Sequence, residues 1–274
     1  MHMGRSPNEV MTKKILHTAH YFVIMNGNLQ STIRNLQSTI RNLQLRRPPM
    51  SILHLSGVRL LLPCIASSLL AIGMLVGRNY MGHQGYWFLI WNLFLAWLPY
   101  CAAIWMAWVV QRKQTSLWLT LLPIGILWIL FLPNAPYLLT DIVHIFGMHF
   151  VWWYDIGILF SFAWAGLLLG VASLHIMAEL IATRYGWLAG WGVVLVTAGL
   201  SGIGVYVGRF LRWNSWDAIL RPRILAHDLL NIFSDPSTYP RLIGVSGFIA
   251  CVMLVGYLMI ISVQPRNISN SQKV

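Results

Sequence analysis

After residue 50, the pattern of hydrophobic and polar positions consists of long apolar runs separated by short polar connections. A helix of about 20 apolar residues is long enough to cross a bilayer core roughly 30 Å thick. The pattern therefore predicts an all-α, polytopic transmembrane helix bundle of about six spans. The predicted spans are residues 60–77, 87–110, 117–132, 156–181, 187–208 and 242–263.

Three local signals add detail to this bundle. The third run ends in the sequence PNAP at 133–136, and two prolines so close together favour a bend or a re-entrant segment. In the last long connection, residues 223–233 have a broad apolar side and a polar side, which predicts a short interfacial helix. Two GxxxG motifs, at 166–170 and 204–208, predict close packing of the fourth and fifth spans.

The first 49 residues differ in character from the rest of the chain. Residues 28–44 read NLQSTIRNLQSTIRNLQ, which repeats one seven-residue unit without change. A coiled-coil seam constrains only two positions in seven, whereas a recent duplication copies all seven. We therefore expect 1–49 to be disordered or a mispredicted extension before a true start at Met50, with a membrane-surface amphipathic helix as the alternative. Residues 50–264 form the predicted transmembrane domain, and 265–274 a polar tail.

Composition narrows the class of protein. Hydrophobic residues make up 57% of the chain and charged residues 9%, against roughly a quarter charged in soluble domains. This excludes a soluble globular enzyme, a disordered chain and a coiled coil. The formal net charge is +12, but basic residues flanking apolar spans are expected from membrane insertion alone. The predicted partner is the lipid bilayer rather than nucleic acid, and the oligomeric state stays open.

With six spans, the first, third and fifth connections lie on one face of the bundle, called the odd face below. From Met50 onwards, each face carries six basic residues, so the positive-inside rule does not decide the orientation. The short connection at 111–116 has two basic residues and no acidic one, which favours the cytoplasm. We therefore expect both termini in the cytoplasm and the odd face outside it.

Polar residues concentrate on the odd face. Ionisable groups at membrane depth are costly and commonly serve a function. Asp141 and His144 are expected on one side of a helix, where they could form a metal site or an acid/base pair with Asp155. Arg209 and Arg212 could receive an anionic headgroup, or contact Asp141 or Asp155 and so join the third connection to the fifth. The candidate polar cluster comprises Asn92, Asn134, Asp141, His144, Asp155, Arg209, Arg212 and Asp217.

A structural network of ion pairs and hydrogen bonds is the plain alternative for this cluster. No HExxH or comparable ligand spacing is present, so neither a metal nor a cofactor is predicted.

Several motifs together resemble a known family. They are WNLFLAWLP at 91–99, FLPNAPYLLTDIVH at 131–144 and GRFLRWNSWD at 208–217. The family that they resemble consists of uncharacterised bacterial integral membrane proteins, described only as a domain of unknown function. The resemblance covers roughly residues 50–263. It implies a multi-pass protein of the bacterial inner membrane, and it supplies no activity from which a catalytic role could be carried over.

Three functions stay open at this point. The first is a protein that binds or moves a small molecule or lipid at a polar mouth on the odd face. The second is a membrane-embedded enzyme acting on a lipid or a lipid-linked substrate. The third is an assembly or interaction protein without a site. A pocket beside the polar residues would favour the first two, and a path to the opposite face would favour transport.

Overall fold

The computed structural model describes residues 30–31, 51–82, 85–111, 117–147, 152–234 and 238–263. The expectations for 1–49, apart from residues 30 and 31, and for the polar tail at 265–274 lie outside the described residues. The architecture below is that of the unit that begins at Met50.

The described part of this unit is built from helices, with no strand among its residues. The helices are α1 (Ser51–Tyr80), α2 (Phe88–Gln111), α3 (Leu117–Phe131), α4 (Asn134–Tyr137), a 3-10 helix (Leu138–Gly147), α5 (Trp152–Tyr185), α6 (Trp187–Phe210), α7 (Asp217–Leu220), α8 (Pro222–Ser234) and α9 (Tyr239–Val263). Six segments of the described chain are long and apolar enough to cross a membrane. The predicted all-α bundle is confirmed, and α8 is the predicted helix in the last long connection.

Helix α5 is the centre of the bundle. Its 34 residues extend for about 50 Å, which is longer than the apolar core of a bilayer. Helices α1, α2, α6 and α9 and the 3-10 helix all contact it. Buried side chains such as Phe162, Leu169 and Ile176 therefore recur along its length. The outer faces of α1 and α9 expose large apolar side chains, including Leu62 and Met259, as lipid-facing helices do.

The third span is interrupted where the two prolines predict a bend. Helix α3 ends at Phe131, and the chain continues through Leu132 and Pro133 into α4 and the 3-10 helix. Asn134 donates from Nδ2 to the carbonyl oxygen of Phe131 at 3.0 Å, and so pairs a carbonyl at the end of α3. The apolar span itself extends over Leu121–Val143, so the break lies within it.

The glycines of the two GxxxG motifs leave space for the backbone at this break, and this space is called the cradle below. A Cβ atom at Gly166 would overlap the carbonyl oxygen of Ala135, and one at Gly204 would lie 2.5 Å from Pro133 Cγ. Backbone that leaves the helical path at membrane depth is tolerated only where protein buries it. Helices α5 and α6 do pack together, as expected. The interpretation of the motifs needs correction, however, because their glycines make room for residues 133–137.

Candidate functional site

An ion pair joins the third connection to the end of α6. Arg209 Nη1 lies 3.0 Å from Asp141 Oδ1, and the Asp141 side chain is only 1% exposed. Asn92 of α2 donates from Nδ2 to the second carboxylate oxygen, Oδ2, at 3.0 Å. A carboxylate at this depth requires such partners because burying an unpaired charge is very costly. Three residues of the candidate cluster are therefore in direct contact.

The break in the third span positions this pair. Tyr137 ends the four-residue helix α4, and its ring centroid lies 5.7 Å from Arg209 Cζ, within cation–π distance. Arg209 Nη1 also donates to the Tyr137 hydroxyl at 3.4 Å. Asp141 follows one turn later, in the 3-10 helix. Residues 133–137 thus bring an aromatic ring and then a carboxylate to the end of α6.

A groove of about 530 Å³ lies beside the ion pair, between the 3-10 helix, the end of α6 and α9. Its volume is in the range of about 300–1,000 Å³ that ligand sites usually have. Among the described residues of its lining, Arg209 is the single charged one, and Thr140, Phe210 and Gly244 line the groove as well. The rest of the lining is apolar and consists of Leu139, Ile142, Val143, Val245, Phe248 and Ile249.

A second ion pair joins the ends of α1 and α5. Arg78 Nε lies 2.6 Å from Asp155 Oδ1, and Nη2 donates to Oδ2 at 3.4 Å. The two side chains are 6% and 5% exposed, so the pair is closed to solvent. Tyr154 donates from its hydroxyl to the carbonyl oxygen of Met74 at 2.9 Å and holds the same helix ends together.

Tyr86, between α1 and α2, covers this second pair. Its ring centroid lies 4.8 Å from Arg78 Cζ, and the residue is 3% exposed. Burial raises the pKa of the Tyr86 hydroxyl, the negative charge of Asp155 raises it further, and Arg78 lowers it. The hydroxyl therefore stays protonated at neutral pH. It has no hydrogen-bond partner among the described residues.

The expected contact between the third and fifth connections is present, and it joins Asp141 to Arg209. Asp155, the alternative acid for that contact, pairs instead with Arg78. Asp155 is engaged by Arg78 because α1 packs along α5, whereas the end of α6 contacts the 3-10 helix. In the sequence, Arg78 resembles the other basic residues that flank the apolar spans. The sequence nevertheless contains evidence for the contact between Arg78 and Asp155. Both residues lie on the odd face, and a carboxylate at a helix end in the membrane needs a partner.

The remaining candidates lie around the fifth connection. Asn134 donates from Nδ2 to Ser215 Oγ at 2.8 Å, which ties the break to that connection. Asp217 accepts a hydrogen bond from the backbone N–H of Asn214 at 2.9 Å. Arg212 is exposed and has a left-handed backbone, with φ of 60°. The side chain of His144 lies outside the described part of the chain.

The described residues contain no group of three or more His, Cys, Asp or Glu side chains that could hold a metal ion. What the arrangement can do chemically therefore rests on a guanidinium group at one end of an apolar groove. Such a site can hold a polar head and an apolar tail together.

Comparison with known proteins gives a family and no activity. Neither a characterised protein nor a solved structure shows significant similarity to the chain. A family model described as "Protein of unknown function (DUF1361)" matches residues 91–261. The matched region includes Asn92, Asp141 and Arg209 but begins after α1, which carries Arg78. Because the match covers more than half of the chain, this integral membrane protein belongs to the DUF1361 family, whose function is unknown.

Proposed function

We propose that this protein binds an amphiphilic molecule of the membrane, such as a lipid, in the groove beside Arg209. The observation that carries the proposal is the described lining of the groove, which is apolar except for Thr140 and the guanidinium group of Arg209. We also propose that the protein resides in a bacterial inner membrane, with the odd face outside the cytoplasm.

The depth of the groove matches one leaflet. On α9 the lining runs from Gly244 to Ile249, and α9 itself begins at Tyr239 on the odd face. Ile249 is ten residues into the helix, or about 15 Å along its axis, which is roughly half the thickness of the bilayer core. Arg209 lies one residue before the end of α6. In a helix that spans the bilayer, this position would be near the headgroups. A lipid tail could thus follow the groove while its head stays beside Arg209.

The rim of the groove favours entry from the side. Val143, Phe210 and Phe248 line it and are 59%, 44% and 62% exposed. Large apolar side chains with this exposure suit contact with lipid chains rather than with water. An acyl chain could therefore enter laterally from the surrounding leaflet.

Binding is better supported than transport or catalysis. The lining reaches Ile249, about half-way through the bilayer core, whereas transport needs a path to the opposite face. An acid/base reaction would use Asp155 as its second carboxylate, and that group is held in a closed pair with Arg78.

Two glycines of α9 provide the test. A Cβ atom at Gly244 or at Gly247 would meet no atom within 4 Å, so a side chain can start at either position without a clash at its first carbon. Only Gly244 lines the groove. Gly244→Leu should fill the groove and remove most of the lipid that remains on the protein in native mass spectrometry after detergent extraction. Gly247→Leu is the matched control and should retain it.

The proposal fails if both variants retain the wild-type amount of lipid. It also fails if the wild-type protein carries no lipid through an extraction that leaves it folded.

A further inference from the structure

We infer that the groove selects a lipid with an anionic, phosphate-bearing headgroup, and that Arg241 is the residue that selects it. This inference rests on the proposed function, because it names the class of ligand and the part of the site that would recognise its head.

Arg241 is placed at the upper rim of the groove. It lies on α9 three and four residues before Gly244 and Val245 and seven before Phe248, so these residues share one face of the helix. Its Cζ atom lies 5.6 Å from the ring centroid of Phe210, which lines the groove. The guanidinium group of Arg241 is therefore one helical turn closer to the odd face than the apolar lining of α9.

The charge of Arg241 is not neutralised in the way that the charge of Arg209 is. Asp141 pairs with Arg209, whereas Arg241 is exposed and has no carboxylate within ion-pair distance among the described residues. From Arg209 to Arg241 the sequence contains five arginines and three aspartates. Two of those aspartates accept other hydrogen bonds, Asp217 from Asn214 and Asp228 from the Trp213 indole. The fifth connection thus carries excess positive charge, and Arg241 is the part of it that lies against the groove residue Phe210.

The chemistry of the guanidinium group favours phosphate. Its planar fork of N–H donors matches two phosphate oxygens at once, and a cation–π contact with Phe210 uses the charge without consuming those donors. The occupant to which we commit is a phospholipid with a net negative charge, whose tail occupies the groove and whose phosphate faces Arg241.

Two probe lipids that share the same acyl chains but differ in headgroup separate the contribution of the headgroup to binding from that of the chains. The protein is equilibrated in detergent micelles that contain equal amounts of dioleoyl phosphatidylglycerol and dioleoyl phosphatidylcholine, and the bound species are counted by native mass spectrometry. The wild-type protein should prefer the anionic lipid. Arg241→Gln should lower binding of the anionic lipid about fivefold, the ratio that corresponds to roughly 1 kcal/mol for one basic residue. Binding of the zwitterionic lipid should fall less, because its phosphate can also reach Arg241 but its choline ammonium opposes the guanidinium charge.

Arg223→Gln provides the matched control, because Arg223 is an exposed arginine of α8 on the same side of the bundle. It should leave both lipids unaffected. The melting temperature of each variant is measured alongside, and if Arg241→Gln lowers it, Arg241→Lys takes its place. The Lys variant keeps the charge without the fork, so it should retain part of the preference for the anionic lipid.

The outcomes distinguish the two proposals. Equal binding of both lipids by the wild-type protein, or equal effects of the Arg241 and Arg223 variants, would overturn the headgroup inference. If Gly244→Leu still removed bound lipid in that case, the proposal that the groove binds lipid would remain supported. If Gly244→Leu removed nothing, the proposed function would fail together with the inference.

Discussion

The two arginine–aspartate pairs on the odd face use the same chemistry in different surroundings. Each pair joins two helical elements, and each arginine lies beside a tyrosine ring. The Arg78 side chain is 6% exposed, whereas the Arg209 side chain is 16% exposed and lines the groove. The first is called the closed pair below and the second the open pair. The comparison shows that what packs around an ion pair, rather than the pair itself, decides whether it can meet a ligand.

The surroundings differ because of the break in the third span. Helices α1 and α5 are continuous and pack along each other around the closed pair, whose two side chains are 6% and 5% exposed. The open pair lies beyond the end of α3 and joins the 3-10 helix to the end of α6. The change in backbone direction after Pro133 leaves space against α9, and Gly244 adds no side chain to fill it.

The largest expected effect comes from breaking the closed pair. Asp155→Asn removes the carboxylate charge that lies 2.6 Å from the buried Arg78 guanidinium group, so the free energy of unfolding should fall by about 3–5 kcal/mol. Asp141→Asn should have a smaller effect, roughly 2 kcal/mol, because water can reach part of Arg209. Unfolding of both variants is measured in detergent with a chemical denaturant.

The double variant Arg78→Met with Asp155→Leu is the control for this difference. It should be more stable than the Asp155→Asn single variant, since it leaves no lone buried charge. A loss for Asp141→Asn equal to or greater than that for Asp155→Asn would contradict the distinction between closed and open pairs.

An intermediate effect is expected from filling the cradle of the break. A Cβ atom at Gly166 would overlap the carbonyl oxygen of Ala135, which is backbone and cannot easily move. Gly166→Ala should therefore lower the free energy of unfolding by about 1–3 kcal/mol. It should also reduce lipid retention, because the displaced segment carries Tyr137 and leads into Asp141.

Gly199→Ala on α6 is the control for the cradle. A Cβ atom there would meet nothing within 4 Å, and alanine favours the helix over glycine, so this variant should be at least as stable as the wild-type protein. Equal stability of the Gly166 and Gly199 variants would show that the glycine motifs do not hold the break.

The sequence predicts the framework of the bundle well, for a simple reason. A bilayer imposes a minimum length on an apolar helix, and runs of that length are visible without knowledge of packing. The break was equally accessible, since the prolines at 133 and 136 restrict backbone torsions locally. The amphipathic pattern at 223–233 likewise predicts α8, because it depends only on spacing along the chain.

The contacts within the candidate site could be predicted only in part. The parity of the connections places Arg78, Asp141, Asp155 and Arg209 on one face, but it does not determine which helices are neighbours. The partner of Asp155 therefore depends on the packing of α1 along α5. The groove is harder still to predict. The sequence does not distinguish an apolar residue that is packed from one that is exposed to lipid or lines a cavity, as Phe248 does.

The smallest expected effect comes from removing the hydroxyl group of the tyrosine beside each pair, Tyr86 at the closed pair and Tyr137 at the open pair. The Tyr86 hydroxyl is buried and has no hydrogen-bond partner among the described residues, while the ring beneath it contacts Arg78. Tyr86→Phe removes the cost of burying that hydroxyl and keeps the ring, so stability should stay unchanged or rise by up to about 1 kcal/mol. Tyr137→Phe removes an acceptor for Arg209 at 3.4 Å, a long hydrogen bond, and should cost about 0.5 kcal/mol. Denaturant unfolding of the two variants, measured side by side, shows whether each substitution raises or lowers the free energy of unfolding. A greater loss for Tyr86→Phe than for Tyr137→Phe would mean that the closed pair holds a polar partner of its own, and the contrast between the two sites would then disappear.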